Sequence, residues 1–156
     1  MPRIVCICTG NICRSPMIEA MLRHRLEPEG DWQIESAGTM GLDDYPASRH
    51  AIQVMDERGL DIAPHRARAV DHDIIAGADL VLAMTRNHVE SLRHEFPAQA
   101  SKLYLVSEMK DGRRYDIADP YGGSLDEYRV CADELEKLVD AGLEQIKTLA
   151  SSTSPG

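Results

Sequence analysis

The sequence predicts an α/β fold in which strands and helices alternate to form a doubly wound, four-stranded parallel sheet with helices on both faces. Three observations predict it. Short apolar runs, Ile4-Val5-Cys6-Ile7 and Leu80-Val81-Leu82-Ala83-Met84, read as strands buried on both faces. Segments with helical periodicity separate such runs, which is the pattern of a parallel sheet. Between the first strand and the first helix stands Cys8-Thr9-Gly10-Asn11-Ile12-Cys13-Arg14-Ser15-Pro16, at the carboxyl end of a strand, where doubly wound sheets collect anions.

Taken in order, residues 3–7 are the first strand and residues 16–26 the first helix, with Ser15 as N-cap and Pro16 at the first helical position. Residues 32–36 form the second strand, and residues 46–58 a helix closed by Gly59. Residues 79–84 are the third strand. Thr85 caps a helix reaching about residue 95, and residues 102–106 are the fourth strand. Ser124 and Glu127 have capping-box spacing at the start of the last helix. Its Tyr128, Cys131, Leu135, Leu138, Leu143, Ile146 and Leu149 recur at helical intervals, so it packs back across the sheet. Residues 151–156 lack apolar anchors, so residues 1–150 are expected to form one domain and 151–156 a disordered tail. The arrangement is flavodoxin-like.

Composition narrows the function classes. A chain of 156 residues suits one domain with a sizeable core, and no apolar run approaches the roughly 20 residues of a membrane span. Met1-Pro2-Arg3 leads directly into a strand, so no signal peptide is expected. A net charge of −9 argues against nucleic acid as a partner, because phosphate backbones are bound by clustered Lys and Arg. The four cysteines, Cys6, Cys8, Cys13 and Cys131, are not a disulfide framework in a chain with this much core, which points to a reducing cytoplasm. Cys6 and Cys8 share a strand face, and no Cys/His pair with finger-like spacing follows. Neither metal nor other cofactor is therefore expected, and the protein is expected to act as a monomer.

The loop carries the chemistry. Gly10 and Asn11 are residue types that adopt left-handed backbone angles, as needed to turn several N–H groups toward one centre the size of a phosphate. Those N–H groups, the helix dipole and the Arg14 guanidinium all favour the thiolate form of Cys8, making it a nucleophile. Arg14 can hold two phosphate oxygens and keep them as charge redistributes in the transition state. Attack on phosphorus also needs a proton donor for the leaving group and then a base for water. Asp119, in the loop Asp116-Ile117-Ala118-Asp119-Pro120-Tyr121-Gly122-Gly123 before the last helix, is the candidate; Asp116 is its local rival.

These residues resemble the low-molecular-weight protein tyrosine phosphatases, whose loop reads Cys-x-Gly-Asn-x-Cys-Arg-Ser-Pro near the N-terminus. The resemblance continues through Ser36-Ala37-Gly38, His65-Arg66-Ala67-Arg68 and Asp119-Pro120-Tyr121, and covers nearly the whole chain in order. It implies phosphotyrosine hydrolysis through a phosphocysteine, with Cys8 attacking, Arg14 clamping and Asp119 shuttling the proton. Thr9, Gly10, Asn11, Ile12, Cys13 and Ser15 would cradle the phosphate, with Ser15 also supporting the thiolate. Asn11, Ser36 and His65 would hold the loop's bend. Tyr121 would wall the entrance, facing Leu42 and Asp43, although Gly122 stands where many members carry a second aromatic. Cys13 would close a reversible, protective disulfide with Cys8. Apart from the resemblance, His65 reads no differently from His24, His50, His72, His88 or His94, which are taken as solvated.

Rival readings share the scaffold. Protein-arginine phosphatases also carry Asp-Pro-x-Gly-Gly-Ser before the last helix, but have Thr where this loop has Ile12, so an apolar side chain beside the thiolate favours phosphotyrosine. Arsenate reductases need further cysteines near mid-chain, and none occurs between Cys13 and Cys131. A non-catalytic phosphate-binding module would keep the loop and lack a positioned acid. The expected partners are a phosphotyrosine-containing protein and inorganic phosphate, as product or inhibitor.

Overall fold

The computed structural model describes residues 1–152 and has the expected architecture, a four-stranded parallel sheet in the order β2-β1-β3-β4. β1 (Arg3–Cys8) is central: it pairs with β2 (Gln33–Gly38) from Arg3↔Gln33 to Cys8↔Gly38, and with β3 (Leu80–Ala83) on its other edge. β4 (Leu103–Leu105) completes the sheet beside β3. Chain direction across the sheet reverses at β1, so the loop after it opens at the topological switch point.

Strand alternation divides the core in two. Ile4, Cys6, Cys8, Leu80 and Leu82 face α1 (Arg14–Leu26), α2 (Arg49–Glu57) and α6 (Leu125–Ser152). Val5, Ile7, Val81 and Ala83 face the opposite layer, where α3 (His72–Ala76) contributes Ile75 and α4 (Arg86–Glu95) contributes Val89 and Leu92. α5 (Glu108–Asp111) packs on α6, with Gly142 at the crossing, where an added Cβ would lie 2.6 Å from Met109 Cβ. α3 and α5 were not expected, because helices of five and four residues are too short to display a period.

Three boundaries differ for local reasons. α1 begins at Arg14 with Cys13 as its N-cap, two residues ahead of the expected Ser15 cap, because the loop closes directly into the helix. α2 begins at Arg49 rather than 46, since Ser48 caps it by accepting from Ala51 N. α6 runs to Ser152, so the expected tail's first two residues are helical; 153–156 lie outside the described residues. Thr85 caps α4, accepting from His88 N at 3.1 Å, and Ser124 Oγ accepts from Glu127 N at 3.2 Å, both as expected.

Candidate active site

β1 delivers Cys8 to the carboxyl edge of the sheet, and α1 starts six residues later at Arg14. Every carbonyl between them is engaged on its outer side. Thr39 N donates to Cys8 O (3.0 Å), Met40 N to Thr9 O (2.9 Å), Leu42 N to Gly10 O (3.1 Å), Ser48 N to Ile12 O (2.8 Å) and Met17 N to Cys13 O (3.3 Å). His65 Nε2 donates to Asn11 O at 2.7 Å. In a planar trans peptide the N–H points opposite to the C=O, so six outward carbonyls turn six N–H groups inward. The loop is thereby a concave donor surface at a helix N-terminus, suited to an anion.

Asn11 holds the bend. Its φ of 60° is left-handed, whereas Gly10 is not, so of the two expected positions only Asn11 uses that conformation. The buried Asn11 amide donates to Ser15 Oγ at 2.8 Å and Ser36 Oγ at 2.9 Å, and accepts from Arg68 N at 3.0 Å. The segment carrying Ser36 approaches so closely that a Cβ on Gly38 would lie 2.3 Å from Thr9 O. Ser36 in turn donates to Glu19 of α1.

The network sets the proton positions at the nucleophile. Ser15 Oγ accepts from Asn11 and lies 2.9 Å from Cys8 Sγ; a thiolate only accepts, so with Cys8 ionised the Ser15 hydroxyl donates to the sulfur. Cys8 itself is buried, at the bottom of a cavity of about 280 Å³ lined by Cys8, Thr9, Ile12, Arg14, Asp119 and Tyr121 together with Met40 and Leu42. Arg14 is fixed by Nη1 donating to Ile117 O at 2.8 Å. Its Nε has no hydrogen-bond partner among the described residues, and Nη2 makes only 3.5 Å contacts, to Thr9 Oγ1 and Asp119 Oδ2. Nε and Nη2 form one edge of the planar fork, the edge suited to two oxygens of a tetrahedral anion.

Asp119 stands across the cavity, half-exposed, its Oδ1 accepting from Tyr121 N at 3.0 Å and its other oxygen turned toward Arg14. Asp116 is occupied elsewhere: Arg86 N donates to it at 2.9 Å and Arg86 Nε at 3.1 Å, and these hold its carboxyl below the usual range. A carboxylate so held is a poor proton donor, which separates the two aspartates. Tyr121 is 66% exposed at the mouth, opposite Leu42.

The structure departs from expectation at several residues. Asp43 is not on the cavity wall; its carboxylate accepts from Ala69 N at 2.9 Å, tying the loop to the neighbouring segment, and Met40 takes the wall position beside Leu42. Cys13 does line the cavity as expected; its thiol is free and buried, facing Tyr128 OH at 3.2 Å and Ser48 Oγ at 3.5 Å, and burial pushes its pKa up. Two histidines taken as solvated are not. The His50 ring packs edge-on to Tyr128, and His88 is buried with Nε2 2.9 Å from Thr9 Oγ1. The signal for His88 was present in retrospect: Thr85 caps α4 at the end of the strand beside β1, which puts the third helical residue at the loop.

Comparisons with known proteins agree with this geometry. The model of the family described as low molecular weight phosphotyrosine protein phosphatase matches residues 3–151. The chain is 38% identical to a protein-arginine-phosphatase of Geobacillus stearothermophilus over 94% of its length and 97% of the relative's. It is 35% identical to a probable low molecular weight protein-tyrosine-phosphatase, EpsP, of Ralstonia nicotianae, again over 94% and 97%. Among solved structures, a mutant of the arginine phosphatase YwlE superposes with a TM-score of 0.88 at 34% identity, covering 93% of this chain and 95% of that one. In that mutant a serine replaces cysteine in the active site and is phosphorylated.

Proposed function

Since the chain belongs to the low molecular weight phosphotyrosine protein phosphatase family, a family of cysteine-dependent phosphatases, we propose that it hydrolyses phosphotyrosine in cytoplasmic proteins. Cys8 Sγ attacks phosphorus and forms an S–P bond as the bond to the tyrosine oxygen breaks. Asp119 gives its proton to that leaving oxygen. The loop N–H groups, with Nε and Nη2 of Arg14, receive the equatorial oxygens, whose charge they stabilise. Asp119 then takes a proton from water, the hydroxide displaces sulfur, and inorganic phosphate leaves with the thiolate restored. Among the described residues no helix is long and apolar enough to cross a membrane.

The observation that carries the choice of substrate is Ile12. Its side chain lines the cavity with Met40, Leu42 and Tyr121, a set that takes a flat phenyl ring and offers a guanidino group no acceptor hydroxyl at that position. One observation favours a second reading, phosphoarginine: the Geobacillus relative and the YwlE structure both carry that activity in their names. The test is a side-by-side assay of one peptide sequence carrying phosphotyrosine or phosphoarginine. A higher kcat/KM on phosphotyrosine, with Ile12→Thr shifting the ratio toward phosphoarginine, is expected. A preference for phosphoarginine in the unaltered protein overturns the assignment, and undiminished hydrolysis by Cys8→Ser overturns the thiol mechanism.

A further inference from the structure

We propose that His88 is a positioning residue for the arginine clamp, acting through Thr9: its Nε2 accepts the Thr9 hydroxyl proton, which turns Thr9 Oγ1 toward Arg14 Nη2. The inference rests on the phosphatase reading above and deepens it.

Counting donors gives the direction of the chain. A guanidinium only donates, so in the 3.5 Å contact between Arg14 Nη2 and Thr9 Oγ1 the hydroxyl oxygen is the acceptor. Thr9 has one hydroxyl hydrogen, and His88 Nε2, at 2.9 Å, is the acceptor placed to take it. The opposite tautomer would have Nε2–H donate to Thr9 Oγ1, so that the oxygen accepts from both His88 and Arg14 and its own hydrogen has no acceptor between them. Burial and the nearby Arg14 charge pull the His88 pKa down to about 4, so the ring is neutral and free to accept.

The fold fixes both ends of this chain. His88 sits in the first turn of α4, its own N–H held by the Thr85 cap at 3.1 Å, and only 6% of it is exposed. Its Nδ1 has no partner among the described residues, so the ring's polar contact is the one with Thr9. Arg14 is anchored at Nη1 by Ile117 O but leaves Nη2 between two 3.5 Å neighbours, Thr9 and Asp119. With Thr9 oriented as an acceptor, Nη2 is held on the loop side. Without it, Nη2 is drawn toward the Asp119 carboxylate, which engages the acid and turns the clamp's edge away from the phosphate site.

The test uses the full chain with His88→Leu, Thr9→Val and the double substitution, with His88→Gln as a variant that restores an acceptor oxygen. Each single apolar substitution should lower kcat by about tenfold, and the double should lose no more than either alone. Inhibition by vanadate, which takes the trigonal-bipyramidal shape of the transition state, should weaken in step with kcat, inorganic phosphate inhibition should change far less, and His88→Gln should recover part of the loss. Multiplicative losses in the double variant, or vanadate and phosphate weakened equally, overturn the proposal. If His88→Leu fails to fold, Thr9→Val decides alone, and a kcat within twofold of the unaltered protein overturns it. Absence of any Cys8-dependent hydrolysis in the unaltered protein would instead refute the phosphatase reading on which this rests.

Discussion

Ser15 Oγ lies 2.9 Å from Cys8 Sγ and also accepts a hydrogen bond from Asn11; since a thiolate only accepts, the Ser15 hydroxyl is the donor to the ionised nucleophile. Both side chains are buried, where a hydrogen bond to a charged group is stronger than in water. Ser15→Ala should therefore lower kcat by roughly ten- to hundredfold, from the loss of about 1.5–3 kcal/mol of thiolate support, and should also lower the melting temperature, because one N–H of the buried Asn11 amide loses its acceptor. A kcat equal to that of the unaltered protein would show that the hydroxyl does not serve the sulfur.

Asp119 faces the cavity, while Asp116 is held by the Arg86 amide and guanidinium. Asp119→Asn should slow turnover by about a hundredfold or more on an alkyl or unactivated aryl phosphate, whose leaving oxygen needs a proton. On an aryl phosphate with an acidic phenol the loss should be much smaller. Equal losses on both substrates would remove Asp119 from the acid role, and the same pattern from Asp116→Asn would transfer it.

Gly38 has ordinary backbone angles, yet the space for a side chain is absent. A Cβ there would stand 2.3 Å from Thr9 O and 3.0 Å from Asn11 N, atoms of the loop backbone itself. Gly38→Ala should destabilise the fold by about 1–3 kcal/mol and also depress kcat, since the loop must give way. Full activity at unchanged melting temperature would contradict the close approach of Gly38 to the loop.

His88 ties stability to pH. Its pKa is near 4 in the folded protein, against 6.5 for the free side chain, chiefly through burial and then through Arg14; Asp119 and Asp116 act weakly in the other direction. Between those values the unfolded chain binds a proton that the folded chain does not, so the stability present above pH 6.5 declines as pH falls toward 4. The loss is up to about 3 kcal/mol. In His88→Gln, which cannot titrate, the fall in melting temperature between pH 7 and pH 4.5 should be smaller than in the unaltered protein; an identical fall would rule out His88 as the source.

Much of this molecule is legible in its sequence because local patterns report local physics. β1 and β3 are short apolar runs because a parallel sheet covered on both faces exposes neither side of a strand, and α6 shows its period because one face meets the core. Cys8, Arg14 and the Gly10-Asn11 bend are adjacent, so their joint chemistry is written in one stretch. Asp119 is marked by the Pro-Tyr that follows and the helix it precedes.

What the sequence by itself determined, then, is an anion loop with a thiol and an arginine on a doubly wound sheet, together with a candidate acid in a distant loop. Tertiary structure alone decided which polar atoms meet. Thr9 and His88 are 79 residues apart and Arg14 and Ile117 are 103 apart; the first pair meets because β3, beside β1, leads into α4, the second because Ile117 N donates to Met84 O at the end of β3. It also moved Asp43 off the wall, placed Met40 there, and gave the left-handed turn to Asn11 rather than Gly10. Periodicity records which face of an element is buried; the partners of a buried hydrogen-bonding group are fixed only when strand order and packing bring separate elements together.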